Sequence, residues 1–398
     1  MARLSAIEPG TDLSRHARDL ARIHDAVLGG SRPIMQPRAL VARSWARVMS
    51  IGLDPQGNSR QPLPRAELER RRHDSPLGAI IDELRQVLSG VADASPLIVV
   101  VTDADGVILW REGSTRVSLR ADGLGFSEGT VWTERHVGTN AIGTALAEAA
   151  PVQLFSAEHY ENKQHAWYCT AAPIHDPRTG EILGVVDVSG PALTLHPAIT
   201  ALVDTAVRLG ESRLWHHHQV RLEGLRRSAE HLLASVRGPL LLVDDHGWVA
   251  HHCGIAVRER IAAPHADKAL AVPGLGLCMP ERIAEGWLVR PVTVGAAVPH
   301  TIIARLDLTD RPLLELATGG EPWRTSLTKR HAELLARLAL AGPGGLSVGQ
   351  LSTALFGDSE HAVTVRAEIS RLRRVIGALV DTKPYRLADG VTLTVVGR

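Results

Sequence analysis

The feature that most constrains this chain is a strand–turn–strand pattern that occurs twice. A strand-length apolar run at 97–102 is followed by the turn DADG at 103–106 and a second short strand at 107–110. The same design returns at 239–252, where DDHG at 244–247 forms the turn. Asp-Gly turns between such runs predict antiparallel hairpins. The internal echo therefore predicts two small sensor-like modules with mostly antiparallel strands, not the alternating pattern of a parallel sheet.

Bulk composition excludes several classes of protein. Hydrophobic residues make up 44% and charged residues 22% of the 398 residues, as is usual for a soluble globular chain. The three cysteines lie far apart without a C-x-x-C motif, which favours a reducing, cytoplasmic location. The sequence contains no run of about eighteen apolar residues, so we expect no membrane span. The first residues contain no apolar segment typical of a secretory signal.

The stretch GTNAIGTA at 138–145 has the glycine spacing of a phosphate-binding P-loop. Thr144 stands where that motif needs lysine, and Ala145 stands where it needs a hydroxyl. No strand pattern precedes the glycines. We therefore expect a loop that leads into a helix capped by Thr139 or Asn140, and we do not expect ATP hydrolysis.

A long helical pattern occupies 197–233. Its apolar positions include Leu202, Ala206, Leu209, Leu214 and Leu222. A pattern of this length is typical of a helix that links domains and dimerises. The sequence therefore predicts a homodimer.

The last hundred residues have the order sheet, three helices and terminal hairpin. The predicted hairpin pairs 385–387 with 392–395 across an Asp-Gly turn. In the third helix an apolar stripe runs along Val365, Ile369, Leu372 and Ile376, and the opposite face is small, hydroxylic or basic.

Positive charge is concentrated in this segment. Residues 324–398 carry eleven Lys or Arg against six Asp or Glu, a net charge of +5 on a chain whose total is +1. Such a patch on a helix indicates a DNA-binding element. The expected DNA contacts are Thr364, Arg366, Ser370, Arg371, Arg373, Arg374 and Arg386. Of these, Arg371 and Arg374 are expected to read bases, whereas Arg366 and Arg373 are expected to lie nearer the phosphates.

This segment resembles the OmpR/PhoB-type winged helix over about the last 95 residues. The resemblance rests on the stretches at 327–330, 332–335, 355–358, 369–373 and 385–387. It implies that the helix at 360–377 enters the major groove of double-stranded operator DNA. The hairpin near Tyr385 would then touch the minor groove or the backbone.

Residues 12–215 closely resemble the GAF-containing part of the acetoin catabolism activator family. The resemblance rests on Ser44-Trp45, on GLDP at 52–55 and on the block FSEGTVWTERHVGTNAIGTAL that begins at Phe126. Family members commonly continue into an AAA+ ATPase, but this chain contains neither a Walker A motif nor a GAFTGA loop. The resemblance implies a regulator with an unknown small-molecule effector, for which small alcohols, ketones or aldehydes are the first candidates.

The predicted architecture is α+β and multidomain. An N-terminal helical segment (1–74) precedes a GAF sensor with an antiparallel sheet (75–212), a linking and dimerisation helix (213–236), a small PAS-like module (237–299) and a C-terminal winged helix (300–398). The expected effector contacts are Trp132, His136, Asn140, His159, Tyr160, Trp167 and Cys169. We expect a non-enzymatic, cytoplasmic transcriptional regulator without a cofactor, with RNA polymerase as a further candidate partner and no contact with membranes.

Three alternatives to this interpretation stay open, and two of them concern His159, His165 or Cys169. His159, His165 and Cys169 include the residue types of a zinc site, although a fourth ligand is lacking. Cys169 could belong to a GAF-type enzyme that reduces a small oxidised sulfur compound, but that chemistry normally needs a second thiol. A dimeric sensor scaffold without DNA binding is the third alternative. Asp187 is expected to accept hydrogen bonds from loop amides.

Overall fold

The structure is a computed structural model, and it describes residues 5–57, 59–94, 96–255, 259–266, 268–291, 302–317, 323–359 and 361–397. The chain divides into two compact units. The first comprises Met1–Asp176 with Ile182–Leu214, and the second comprises Pro177–Glu181 with Trp215–Arg398.

The first unit surrounds one antiparallel sheet. Its helices are α1 (Leu13–Leu28), α2 (Ala39–Ser50), α3 (Arg65–Asp74), α4 (Ile81–Ala94), α5 (Thr115–Asp122), α6 (Glu134–Val137) and α7 (Ala141–Glu148). Its strands are β1 (Ile98–Asp103), β2 (Ile108–Gly113), β3 (Val152–Phe155), β4 (Trp167–His175) and β5 (Ile182–Pro191), in the order β2-β1-β5-β4-β3. The β1–β2 hairpin is confirmed. Apolar side chains from the strands, α2, α4 and α7 form one core.

A 31-residue helix, α8 (Ala198–Ser228), follows β5, and α9 (Glu230–Ser235) comes next. The predicted single helix over 197–233 is thus interrupted after Ser228. Among the described residues, no helix is long and apolar enough to cross a membrane.

The second unit contains a small sheet of five antiparallel strands. These are β6 (Leu240–Val243), β7 (Val249–Cys253), β8 (Leu270–Val272), β9 (Gly276–Ile283) and β10 (Gly286–Pro291). Their order is β7-β6-β10-β9-β8, the same as in the first unit. The last residues predicted for this module, 292–299, lie outside the described residues.

The two hairpins that begin these sheets share their turn chemistry. Asp103 Oδ1 accepts hydrogen bonds from the backbone N–H groups of residues 105 and 107, at 3.0 and 2.9 Å. Asp244 Oδ1 does the same for residues 246 and 248, at 2.9 and 2.8 Å. Gly106 and Gly247 adopt φ near +80°, a conformation that favours glycine. The predicted internal echo is therefore confirmed.

The C-terminal part combines a four-stranded sheet with three helices. Its elements are β11 (Ile302–Asp307), β12 (Leu313–Ala317), β13 (Trp323–Ser326), α10 (Lys329–Ala341), α11 (Val348–Phe356), α12 (Ala362–Ile376), β14 (Val380–Thr382), β15 (Tyr385–Leu387) and β16 (Val391–Val396). The predicted pairing of the strand at Tyr385 with the last strand is wrong. Instead β15 pairs with β14, and β16 joins β11 in parallel. Strand β11 lies between β12 and β16, so its second backbone edge pairs with a strand that is distant in sequence.

Candidate functional sites

The stretch 138–145 forms a helix start whose polar groups are all engaged inside the first unit. Asn140 is the N-cap of α7: its Oδ1 accepts a hydrogen bond from the Gly143 N–H at 2.9 Å. Thr144, at the position of the P-loop lysine, donates from Oγ1 to Glu134 Oε1 at 2.9 Å. The predicted cap at Asn140 is confirmed. A Cβ at Gly143 would lie 2.4 Å from the Glu134 nitrogen, so packing against α6 requires this glycine.

Glu134 also anchors helix α2 to this loop. Its carboxylate accepts a hydrogen bond from Ser44 Oγ at 2.5 Å and a bidentate pair from Arg47 at 2.7 and 2.8 Å. Ser44 is fully buried and Glu134 is 8% exposed. A buried carboxylate is stabilised when it is paired and hydrogen-bonded in this way. The Ser44-Trp45 motif is thus a docking element for the N-terminal helices.

A second polar cluster lies inside the sheet, where β4 pairs with β5. Cys169 pairs with Ser189 and Ala171 pairs with Asp187, so Cys169, Ser189 and Asp187 share one face. The Ser189 hydroxyl donates to Asp187 Oδ2 at 2.5 Å. His159 Nε2 lies 3.3 Å from Cys169 Sγ. The structure therefore brings together two of the predicted effector residues, His159 and Cys169, and adds two that were not predicted.

Burial keeps His159 and Cys169 of this cluster uncharged near neutral pH. His159 Nδ1 lies 2.9 Å from the Ser156 carbonyl oxygen and donates to it in the neutral ring, which leaves Nε2 to accept the Cys169 thiol proton. Burial lowers the pKa of His159 to about 4. Burial, with the neighbouring Asp187, holds the pKa of the Cys169 thiol well above its ordinary value.

Asp187 is the residue that the sequence interpretation misjudged. Instead of loop amides, it has Ser189 as its hydrogen-bonding partner, and its Oδ1 has none among the described residues. Burial raises the pKa of Asp187 to about 7. An acidic residue inside the apolar run VVDVSG was the available signal, because a buried strand carries a carboxyl group only at a cost.

The other predicted effector residues have separate roles. Trp132 is 3% exposed, packs edge-to-face on Phe126 and donates from Nε1 to Thr130. The Tyr160 hydroxyl donates to the Leu53 carbonyl at 2.8 Å, and Trp167 lies under the Arg120 guanidinium. His136 is exposed and contacts Thr133. His159, His165 and Cys169 form no group suited to a metal ion in the described part of the chain.

The basic helix α12 presents its predicted DNA contacts unequally. Arg366 is exposed, whereas Thr364 and Ser370 are half-buried. Arg371 pairs with Glu368 at 2.6 Å, and the Arg374 side chain is 35% exposed. Arg373 is only 8% exposed, so it does not lie on an open flank of α12 as expected. Burial is the main reason that the pKa of Arg373 is lowered.

Arg386, on β15, is held by two carboxylates. It makes a bidentate pair with Asp389 at 2.8 and 3.1 Å and lies 3.3 Å from Asp381. These acids offset its positive charge, which reduces its attraction for phosphates. A local charge count could not predict these contacts.

Comparison with known proteins adds family membership. A protein of Rhodococcus erythropolis, described as an uncharacterized 47.3 kDa protein in the thcA 5' region, is 30% identical over 98% of this chain and 74% of its own length. The chain belongs to the family of this protein. Residues 19–210 of this chain also match the model of the MimR N-terminal domain.

Two named transcriptional activators are similar to the N-terminal half. AcoR, the acetoin dehydrogenase operon activator of Bacillus subtilis, is 33% identical over 55% of this chain and 36% of its own length. MimR, the propane 2-monooxygenase operon activator of Mycolicibacterium smegmatis, is 32% identical over 50% and 34%. The chain thus spans about a third of these activators. The comparisons support an AcoR/MimR-like transcriptional regulator.

A solved structure, the E. coli DhaR(N)–DhaL complex, contains a chain with 17% sequence identity to this protein. The match covers 64% of this chain and 99% of that one, with a TM-score of 0.45.

Proposed function

We propose that this protein is a one-component, ligand-responsive transcriptional regulator that binds operator DNA through α12. The arrangement of α10, α11 and α12 carries the proposal, because it leaves a basic helix as the last of three. The apolar stripe of α12 packs into the C-terminal core, and Arg366 is exposed on the remaining surface. The resemblance to OmpR/PhoB-type winged helices and the similarity to transcriptional activators support this assignment.

DNA binding is tested with a salt series on the full chain. We expect duplex DNA to bind with an affinity that falls steeply with salt. Arg366→Ala should lower the slope of log affinity against log salt by about one, which corresponds to one lost phosphate contact. Arg305→Ala is the matched control, because Arg305 is an exposed arginine on β11 and lies outside the three helices. Equal slopes for both variants would contradict the role of α12.

The sensor part of the proposal rests on the interior of the first unit. Cys169 is half-buried, whereas every other residue of β4 is buried. The uncharged thiol of Cys169 and the uncharged imidazole of His159 suit a small neutral molecule better than an ion. We propose small ketones, aldehydes and alcohols as effectors, with His159 and Cys169 as contacts.

A thermal-shift screen with such compounds tests the sensor. Cys169→Ser should weaken the response to an active compound, because it replaces the thiol within the cluster. Cys253→Ser is the matched control, since Cys253 is an exposed cysteine on β7. A response that persists unchanged in Cys169→Ser would remove Cys169 from the effector site.

Homodimerisation through α8 and a contact with RNA polymerase belong to the same proposal. The length of α8 supports a helical partner, and Val220 is 54% exposed on this helix. The alternative of a redox enzyme has less support. A nucleophilic thiol needs a lowered pKa, and that of Cys169 is raised.

A further inference from the structure

The face of α12 that would read DNA is covered in this structure. The stripe formed by Val365, Ile369, Leu372 and Ile376 is buried in the C-terminal core, so only the opposite face can enter a groove. Ala367 lies on that face, yet it is 6% exposed. Arg366 alone is exposed among the residues of α12, all of which the structure describes. Another part of the second unit must therefore lie on the reading face.

Residues 259–263 of the small module form one part of this cover. The other part is the segment 177–181 of the second unit, where a Cβ on Gly180 would lie 2.5 Å from the Ala367 carbonyl oxygen. The Arg260 guanidinium donates from Nη1 to the Ser370 carbonyl at 3.2 Å, with the Ser370 hydroxyl at 3.5 Å. The Ala263 N–H donates to the Arg374 carbonyl at 3.0 Å. Residues 259–263 thus contact two of the predicted DNA-binding residues along one turn of the helix.

The turn of the β6–β7 hairpin holds Arg260 in position. Arg260 is 1% exposed, and its Nε donates to the His246 carbonyl at 3.0 Å. Its guanidinium lies 5.0 Å from the centre of the Trp248 ring, within the range of a cation–π contact. The backbone N–H of Ile261 donates to the Gly247 carbonyl at 2.8 Å. Contacts within its own module therefore hold the arginine in addition to its contact with α12.

The packing at the end of α12 is too tight for any side chain. Gly377 adopts φ +55°, and a Cβ at this position would lie 1.9 Å from the Ala262 nitrogen. The small module also contributes Ala271 to the C-terminal core. These contacts make the cover a specific interface and not a loose approach of two segments.

We propose that residues 259–263 are an autoinhibitory segment that competes with DNA for α12. The inference rests on the proposed DNA-binding function. The major groove is about 12 Å wide and a helix with its side chains fills about 10–12 Å, so no room remains for a second segment on the reading face. DNA binding then requires release of the segment. The apparent affinity is reduced by the fraction of molecules in which α12 is open.

The test compares Arg260→Ala with wild type in the full chain, using duplex DNA fragments of random sequence. We expect Arg260→Ala to bind at least about tenfold more tightly, equivalent to about 1.4 kcal/mol. This direction is opposite to the effect of losing a positive charge. Arg282→Ala is the matched control: Arg282 lies 4.9 Å from the Trp287 ring centre in the same module, is 48% exposed and pairs with Asp245. It should not tighten binding.

Hydrogen exchange on the wild-type protein gives a second readout that needs no variant. Addition of the DNA should increase exchange of the backbone N–H groups at 259–263, including that of Ala263. If DNA binds, exchange there stays unchanged and Arg260→Ala binds like wild type, the autoinhibitory contact is refuted and DNA binding stands. If neither protein binds DNA at low salt, the proposed function fails and the inference fails with it.

Discussion

Replacement of Asp187 by asparagine should stabilise the first unit at neutral pH and remove part of its pH dependence. Asp187 has no exposed surface, and its hydrogen-bonding partner is the Ser189 hydroxyl. Asparagine has nearly the same shape and can still accept this hydrogen bond through its carbonyl oxygen. The substitution therefore removes an ionisable group while it keeps the local packing.

The magnitude follows from the pKa of the buried carboxyl group. Burial raises the pKa of Asp187 from 3.8 to about 7, so the folded chain retains a proton that the unfolded chain loses. The stability due to this proton is fully present below pH 3.8 and is lost as the pH rises through about 7. Since one pKa unit corresponds to about 1.4 kcal/mol, the free energy of unfolding should fall by about 4 kcal/mol across this interval. Asparagine abolishes that loss.

Two buried histidines act in the opposite direction. Burial lowers the pKa of both His159 and His165 to about 4, below their ordinary value of 6.5. Their contribution to stability is present above pH 6.5 and is lost as the pH falls through about 4. Both histidines remain in the variant. The difference between variant and wild type therefore isolates the contribution of Asp187.

The measurement is urea unfolding followed by tryptophan fluorescence, with hydrogen exchange in β4 and β5 to assign the transition. Between about pH 4 and pH 8, the stability difference should change by up to about 4 kcal/mol in favour of Asp187→Asn. Asp105→Asn provides the control, because the Asp105 side chain is 73% exposed. Its difference from wild type should stay nearly flat. A pH-independent difference for Asp187→Asn would refute the assignment of a proton to this buried carboxyl.

Three further predictions concern other parts of the chain. Ser44→Ala should lower the free energy of unfolding by about 2 kcal/mol, since a buried hydrogen bond to a carboxylate is lost; the exposed Ser50→Ala should have little effect in the same urea titration. Glu at both Leu209 and Val220, which lie on one face of α8, should give monomers in sedimentation velocity, and a wild-type monomer at micromolar concentration would contradict dimerisation. ATP should produce neither turnover nor a thermal shift, because Thr144 is engaged with Glu134; turnover lost in a Gly143 variant would overturn this view.

The sequence by itself determined the features that depend on neighbouring residues. The Asp-Gly turns at 103–106 and 244–247 specify their hairpins through local backbone hydrogen bonds. Asn140 caps α7 because its side chain reaches an N–H only three residues away. The apolar residues of α12 recur at helical spacing, and the structure buries this stripe in the C-terminal core as the spacing predicts.

Only the tertiary structure decided how distant segments meet. The parallel pairing of β16 with β11 joins residues that are far apart in the chain. Local strand propensity does not specify which strand becomes the neighbour. The same holds for Ser44 with Glu134, which are 90 residues apart, and for Arg260 with Ser370, which are 110 apart. The charge count predicts that α12 is a basic surface available to DNA, but the contact of Arg260 with Ser370 covers part of this surface. Each such contact depends on the shape of a folded neighbour, which no window of adjacent residues contains.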